Sequence, residues 1–202
     1  MKKVLFFSLI ALMGGRLVAQ QNIQSIAVGS TAPMLDVVMK DVSGKELSIK
    51  QSAAKNGVLI MFSCNTCPYV IKNQQRTKEI AAYAKAHGLG VVIINSNEAQ
   101  RADADSYSAM QAYAKQQGYD VPYVVDKDSK VADAYGATRT PEVFLVNNAG
   151  KIVYKGAIDD SPADASVVKQ EFLKQAIDDV VSGKAIAVKE SKSVGCSIKR
   201  VS

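Results

Sequence analysis

The chain has 202 residues, 48% of them hydrophobic and 22% charged, and a formal charge of +6 at pH 7. That length suits one domain with flanking segments, and the apolar content is enough for a sizeable core. The basic excess is mild and dispersed, with no basic block and no aromatic interleaving, which argues against a nucleic-acid-binding protein.

The N-terminus reads as a targeting segment. Lys2 and Lys3 precede an apolar run over residues 4–13, which ends at Gly14-Gly15-Arg16 and is followed by Leu17-Val18-Ala19. A basic start, a short apolar stretch and a small residue before the cleavage point make residues 1–19 a secretory signal peptide. The run is shorter than the roughly 20 residues that span a bilayer, so no stable membrane anchor is expected. Cleavage removes three of the 25 basic residues and none of the 19 acidic ones, leaving +3. The expected location is periplasmic or extracellular, an oxidising setting for the chain's three cysteines. Three is odd, so at least one thiol stays free or trades partners.

Residues 20–30 read as a flexible lead-in, residues 31–183 as the folded domain and residues 184–202 as a C-terminal tail. In the domain, residues 34–39 and 46–49, joined by the turn residues of 41–45, form a β-hairpin beside the main sheet. Residues 58–62 (VLIMF) are too short and too uniformly apolar for a helix and suit a strand buried on both faces. A helix is expected over residues 69–87, capped by Gly88, then a strand over 89–95. A helix over 103–117, a strand over 121–125 and a short helix over 129–135 follow. A hairpin over 142–154 and a helix over 165–181 complete the domain. Strands alternating with helices predict parallel pairing, and the closing hairpin adds antiparallel strands. The fold class is α/β: a mixed central sheet with helices on both faces and an N-terminal β-hairpin extension.

The chemistry lies at Cys64-Asn65-Thr66-Cys67-Pro68, where the strand at 58–62 hands over to a helix. The first turn of a helix offers unpaired N–H groups, which stabilise a thiolate and lower its pKa. A pair spaced this closely is a poor structural staple, because the loop it closes is tiny. A redox-active dithiol explains it better than a zinc half-site or two inert buried thiols.

Further along, Thr140-Pro141 precedes the last hairpin, and Gly195-Cys196-Ser197-Ile198-Lys199 lies in the tail. With Val28-Gly29, Ala32-Pro33, Asp41-x-x-Gly44 and Cys64-x-x-Cys67-Pro68-Tyr69, in this order, the chain resembles the thioredoxin fold. More narrowly it resembles the peroxiredoxin-like, thiol antioxidant (redoxin) branch, over about residues 28–180. The resemblance implies a cis Thr140-Pro141 bond packed against the dithiol, with Thr140 and Pro141 forming a substrate groove. It also places Cys67 where thioredoxins carry their attacking cysteine and peroxiredoxins their peroxide-reactive one. The hydroxyl and proline that peroxiredoxins carry three and seven positions earlier are here Cys64 and Ile60, which favours dithiol exchange over peroxidase chemistry. Thioredoxins usually set a tryptophan beside the dithiol, and this chain has none.

Cys64 and Cys67 are therefore assigned jointly as the catalytic pair. Cys64 is preferred as nucleophile because the N-terminal cysteine of such pairs attacks and is expected to be more exposed. Cys196 is a candidate resolving thiol, a buried small hydrophobe or a free thiol on a loose tail, and residues 185–188 and 197–198 could dock it. His87, the one histidine, would lie about 30 Å from Cys67 along a continuous helix, too far to share an ion, so no metal and no bound cofactor are expected. Arg139 reads as a solvated arginine. Glu98, Asp103 and Asp105 read as helix-start acids, and Tyr69 and Tyr113 as packing residues.

The expected activity is thiol–disulfide exchange on a protein or small-molecule disulfide, with electrons supplied by a redox partner. The alternatives are a thiol peroxidase acting on peroxide through Cys67 and a non-catalytic module holding a partner or a soft metal near Pro141.

Overall fold

The central element is β3 (Gly57–Ser63), whose seven residues are all buried. It pairs in parallel with β4 (Gly90–Asn95) and antiparallel with β7 (Glu142–Asn147), so its backbone groups are satisfied on both sides. The structure, a computed structural model, describes residues 23–201. The expected signal peptide lies outside them.

β4 continues in parallel to β5 (Tyr123–Val125), and β5 pairs antiparallel with β1 (Val38–Asp41). β2 (Glu46–Ser48) flanks β1, and β8 (Ile152–Gly156) flanks β7, giving the seven-strand order β2-β1-β5-β4-β3-β7-β8. This is the mixed sheet expected, and the N-terminal hairpin extends it through β5. Alternation along β3 feeds two cores, as period-two side chains require. Leu59 and Met61 join Ile80, Met110 and Ile177 on one face. Ile60 and Phe62 join Ile49, Val131 and Tyr135 on the other. The first face is covered by α3 (Gln74–Ala86), α4 (Tyr107–Gln117) and α6 (Phe172–Ser182), the second by α1 (Ile49–Ser52) and α5 (Lys130–Tyr135).

Several boundaries differ from expectation. The helix expected over 69–87 breaks at Asn73 into α2 (Pro68–Lys72) and α3. Asn73 is buried, and its Nδ2 donates to the carbonyls of Tyr69 and Pro162, each at 2.7 Å. A side-chain donor competing for carbonyls in the ladder is a recognised cause of a kink. The first hairpin strand starts at Val38 rather than at 34, where Met34 turns with φ 55°. α4 and α6 start later than expected, each preceded by short 3₁₀ turns. His87 ends α3 as anticipated, its Nδ1 2.8 Å from the Tyr83 carbonyl.

The two flanking segments are also more ordered than their composition suggests. In the expected flexible lead-in, Ile26 N–H donates to Tyr135 O and Gly29 N–H to Ile152 O. The tail returns across the domain: Ile186 packs on one core, Ile198 is buried in the other, and β9 (Cys196–Ser197) pairs with β6 (Arg139–Thr140). Among the described residues, no helix is long and apolar enough to cross a membrane.

Gly90 opens β4 where the backbone of Ser52 crosses it, and a Cβ there would overlap the Ser52 carbonyl. Gly90→Ala should therefore cost about 1–3 kcal/mol in a urea unfolding experiment, as overpacking does. An unchanged midpoint would show that the crossing can yield without cost.

Candidate active site

Cys64 follows directly on β3, and Cys67 is the N-cap residue of α2, with extended backbone (φ −64°, ψ 125°). Pro68 takes the first helical position, where an N–H would have no helical partner anyway. The loop between the two cysteines is fixed by a buried polar network. Asn65 N–H donates to Asp105 Oδ1 at 2.9 Å, and Asn65 Nδ2 to Ala104 O at 2.9 Å. Asn65 Oδ1 accepts from Tyr123 Oη at 2.8 Å. Asp105 also accepts from Asn95 Nδ2 at 2.7 Å and Asn97 Nδ2 at 2.8 Å, so its buried carboxylate is hydrogen-bonded throughout.

Asp105 is thus an anchor for the dithiol loop rather than a helix-start acid. Sequence reasoning missed it because its partners lie on β4 and forty residues away, with no local pattern to mark them.

Thr140 meets all three cysteines. The Thr140–Pro141 bond is cis, as the resemblance implied. Thr140 Oγ1 lies 3.4 Å from Cys64 Sγ, and Cys67 Sγ lies 3.2 Å from Thr140 O, to which it donates only while protonated. Across β6 and β9, Thr140 stands opposite Cys196, whose N–H donates to Cys67 Sγ at 3.4 Å. Glu142 holds the approach to this loop, its Oε2 accepting from the Thr138 and Arg139 N–H groups at 2.8 and 2.9 Å. Arg139 itself is exposed, its Nη1 3.4 Å from Gly195 O. Tyr69 packs beside the thiols, and Tyr113 Oη accepts from Gln74 at 2.9 Å, so both are packing residues here.

The expectation that Cys64 is the more exposed thiol is corrected: Cys64 is 2% exposed and Cys67 4%. Electrostatics separates them instead. Cys67 is lowered to about 4, first by the Cys64 thiol donating to it and further by the Cys196 thiol and the N–H groups of Val70 and Cys196; burial opposes this. Cys64 is pushed up, because its proton is held by Cys67 and because it is buried. Cys196 is raised to about 11 by burial and by Cys67. One sulfur collects the donors, and the other two supply them. Cys67 is therefore the thiolate of the cluster. Among the described residues no group of three or more His, Cys, Asp or Glu is arranged to hold a metal ion.

A thiolate held near pH 4 against an ordinary thiol value of 9.0 favours the folded state. That contribution is complete above the unfolded value, shrinks as pH falls and vanishes below about 4. Reduced protein should therefore show thiolate ultraviolet absorbance appearing with a midpoint near pH 4, absent in Cys67→Ser. Its stability advantage over Cys67→Ser should shrink as pH is lowered from 8 to 4. A first midpoint in the ordinary thiol range would contradict the assignment.

Comparison with known proteins agrees with this geometry. The Redoxin family model matches residues 27–171. The thiol-disulfide oxidoreductase ResA of Bacillus subtilis is 31% identical over 130 residues, covering 64% of this chain and 67% of that protein. A solved structure of an uncharacterized conserved protein from Geobacillus kaustophilus is 33% identical, with a TM-score of 0.80, covering 87% of this chain and 93% of that one. The thioredoxin domain of a thiol-disulfide oxidoreductase from Bacteroides vulgatus shares the fold at 23% identity, with a TM-score of 0.55 over 66% of this chain and 90% of that one. With a match spanning most of its length and the dithiol seated at the end of β3, the chain belongs to the Redoxin family and has the thioredoxin fold.

Proposed function

We propose that this protein is an exported thiol–disulfide oxidoreductase in which Cys64 and Cys67 form the working couple. The observation that carries the reading is the placing of Cys64 and Cys67 at the junction of β3 and α2 against the cis Thr140–Pro141 bond, with the Cys196 N–H donating to Cys67 Sγ at 3.4 Å. Such a pair is prepared for two sequential exchanges. The Cys67 thiolate attacks a sulfur of the incoming disulfide, the S–S bond breaks, and one substrate sulfur leaves as a thiolate. Cys64 then loses its proton and attacks Cys67 Sγ, closing a Cys64–Cys67 disulfide and releasing the second substrate thiol. Two electrons pass to the substrate. No bound cofactor enters the exchange, and a redox partner restores the dithiol.

Names among its relatives support the same reaction class. Export rests on the signal-peptide pattern of residues 1–19. Expressed with its own leader in a bacterial host, the protein should be recovered from the exported fraction with Gln20 as its first residue. Full-length protein retained in the cytoplasm would contradict export.

The reaction is tested by turnover of a protein disulfide, such as insulin, with a dithiol donor. Wild type should accelerate reduction well above the donor alone. Cys67→Ser should lower the rate by roughly a hundredfold or more, because the low-pKa nucleophile is gone. Cys64→Ser should stall after one exchange. Steady consumption of peroxide without disulfide reduction would instead favour the peroxidase reading. Partner binding that survives replacement of both cysteines, with no turnover, would favour a binding module.

A further inference from the structure

The dithiol is covered by its own tail. Cys64 and Cys67 are 2% and 4% exposed, whereas Cys196 is only partly buried. The cover is firmly seated. Ile198 N–H donates to Thr138 O, Ala99 N–H donates to Lys199 O, and Arg200 pairs with Asp133 at 2.7 Å. Ile198 itself sits in the second core. Gly195 passes so close to Thr140 that a Cβ would overlap the Thr140 carbonyl. The outer edge of β6, beside Pro141, is therefore already paired, to β9. Cys196 stands opposite Thr140 in that pairing and packs against the cluster of Cys64, Cys67 and Val70, with its N–H donating to Cys67 Sγ at 3.4 Å.

We infer that Cys196 is the port of this centre: sulfur compounds outside meet Cys196, and a Cys67–Cys196 disulfide relays electrons between it and the Cys64/Cys67 couple. The inference rests on the Cys64/Cys67 couple of the proposed exchange and changes its entry step: external sulfur meets Cys196 first, and Cys67 attacks the Cys196 mixed disulfide in place of the incoming disulfide itself. In the reductive direction, Cys196 loses its proton and attacks an external disulfide RSSR. The RS–SR bond breaks, a Cys196–SR mixed disulfide forms, and RS⁻ takes up a proton. The Cys67 thiolate attacks Cys196 Sγ, forming Cys67–Cys196 and expelling the second RS⁻. Cys64 then gives up its proton and attacks Cys67 Sγ, closing Cys64–Cys67 and returning Cys196 as a thiol. One external disulfide becomes two thiols, and one protein dithiol becomes a disulfide. Recharging by an external thiol runs the same steps backwards. There Cys67 is the leaving group when external thiolate attacks the Cys67–Cys196 bond at Cys196, and a low-pKa thiolate leaves fastest.

Two variants of the full mature protein test this, with glutathione disulfide as the probe. Cys64→Ser cannot complete the relay, so it should accumulate a Cys67–Cys196 disulfide, read by blocking free thiols and mapping peptides. A glutathione adduct on Cys67 with Cys196 free would overturn the inference. Cys196→Ser should slow oxidation of the Cys64/Cys67 couple by about an order of magnitude or more while leaving its equilibrium disulfide intact. Gly195→Ala, which forces β9 off Thr140 without touching a thiol, should slow it likewise. Unchanged or faster oxidation in Cys196→Ser would overturn the port while leaving the exchange reaction standing. A wild-type protein that exchanges with no disulfide at all would remove that reaction and the port with it.

Discussion

The backbone and side chain of Thr140 are the point on which the site depends. Its hydroxyl faces Cys64, its carbonyl lies 3.2 Å from Cys67 Sγ, and its strand edge is paired to Cys196. These contacts come from one residue because β6 and the cis Thr140–Pro141 bond bring it against the end of β3. Glu142 secures the preceding turn, and the Asp105 network secures the loop between the cysteines. The three sulfurs are held by backbone that is itself held, which is how a site keeps a defined geometry.

Burial gives the arrangement its chemical character. In a poorly solvated cluster, charge is stabilised only where donors converge, and here they converge on one sulfur. Cys67 sits at the N-cap of α2 and accepts the Cys196 N–H from β9, and the neighbouring thiols of Cys64 and Cys196 lower its pKa further. Cys64 and Cys196 keep their protons by the same interaction that removes one from Cys67. The difference between the thiols therefore belongs to the cluster and not to sequence position, which is why choosing the attacking cysteine by spacing pointed to Cys64.

Much of the fold was readable because its signals are local. The uniformly apolar runs at residues 58–62 and 91–94 are strands paired on both sides. Cys-x-x-Cys-Pro at a strand end announced the site, since a proline at the first helical position marks a helix start as well as a redox motif. What was hidden depended on distant partners. Asn73 reads as an ordinary helix residue until Pro162, 89 positions away, offers it a carbonyl. Asp105 looks like a capping acid until its partners on β4 and in the cysteine loop are in place. The tail has no helical period because it is held by pairing to β6 and by Ile198, contacts spanning more than fifty residues.

In the proposed function, Cys64 and Cys67 form a reversible two-electron couple at the end of β3. Equilibrating the mature protein across a series of glutathione redox buffers, quenching, blocking free thiols and mapping the links tests it most directly. A single two-electron transition is expected, with a Cys64–Cys67 disulfide on the oxidised side and Cys196 free at equilibrium. Persistent reduced thiols across the whole series, or glutathione adducts in place of that disulfide, would contradict it.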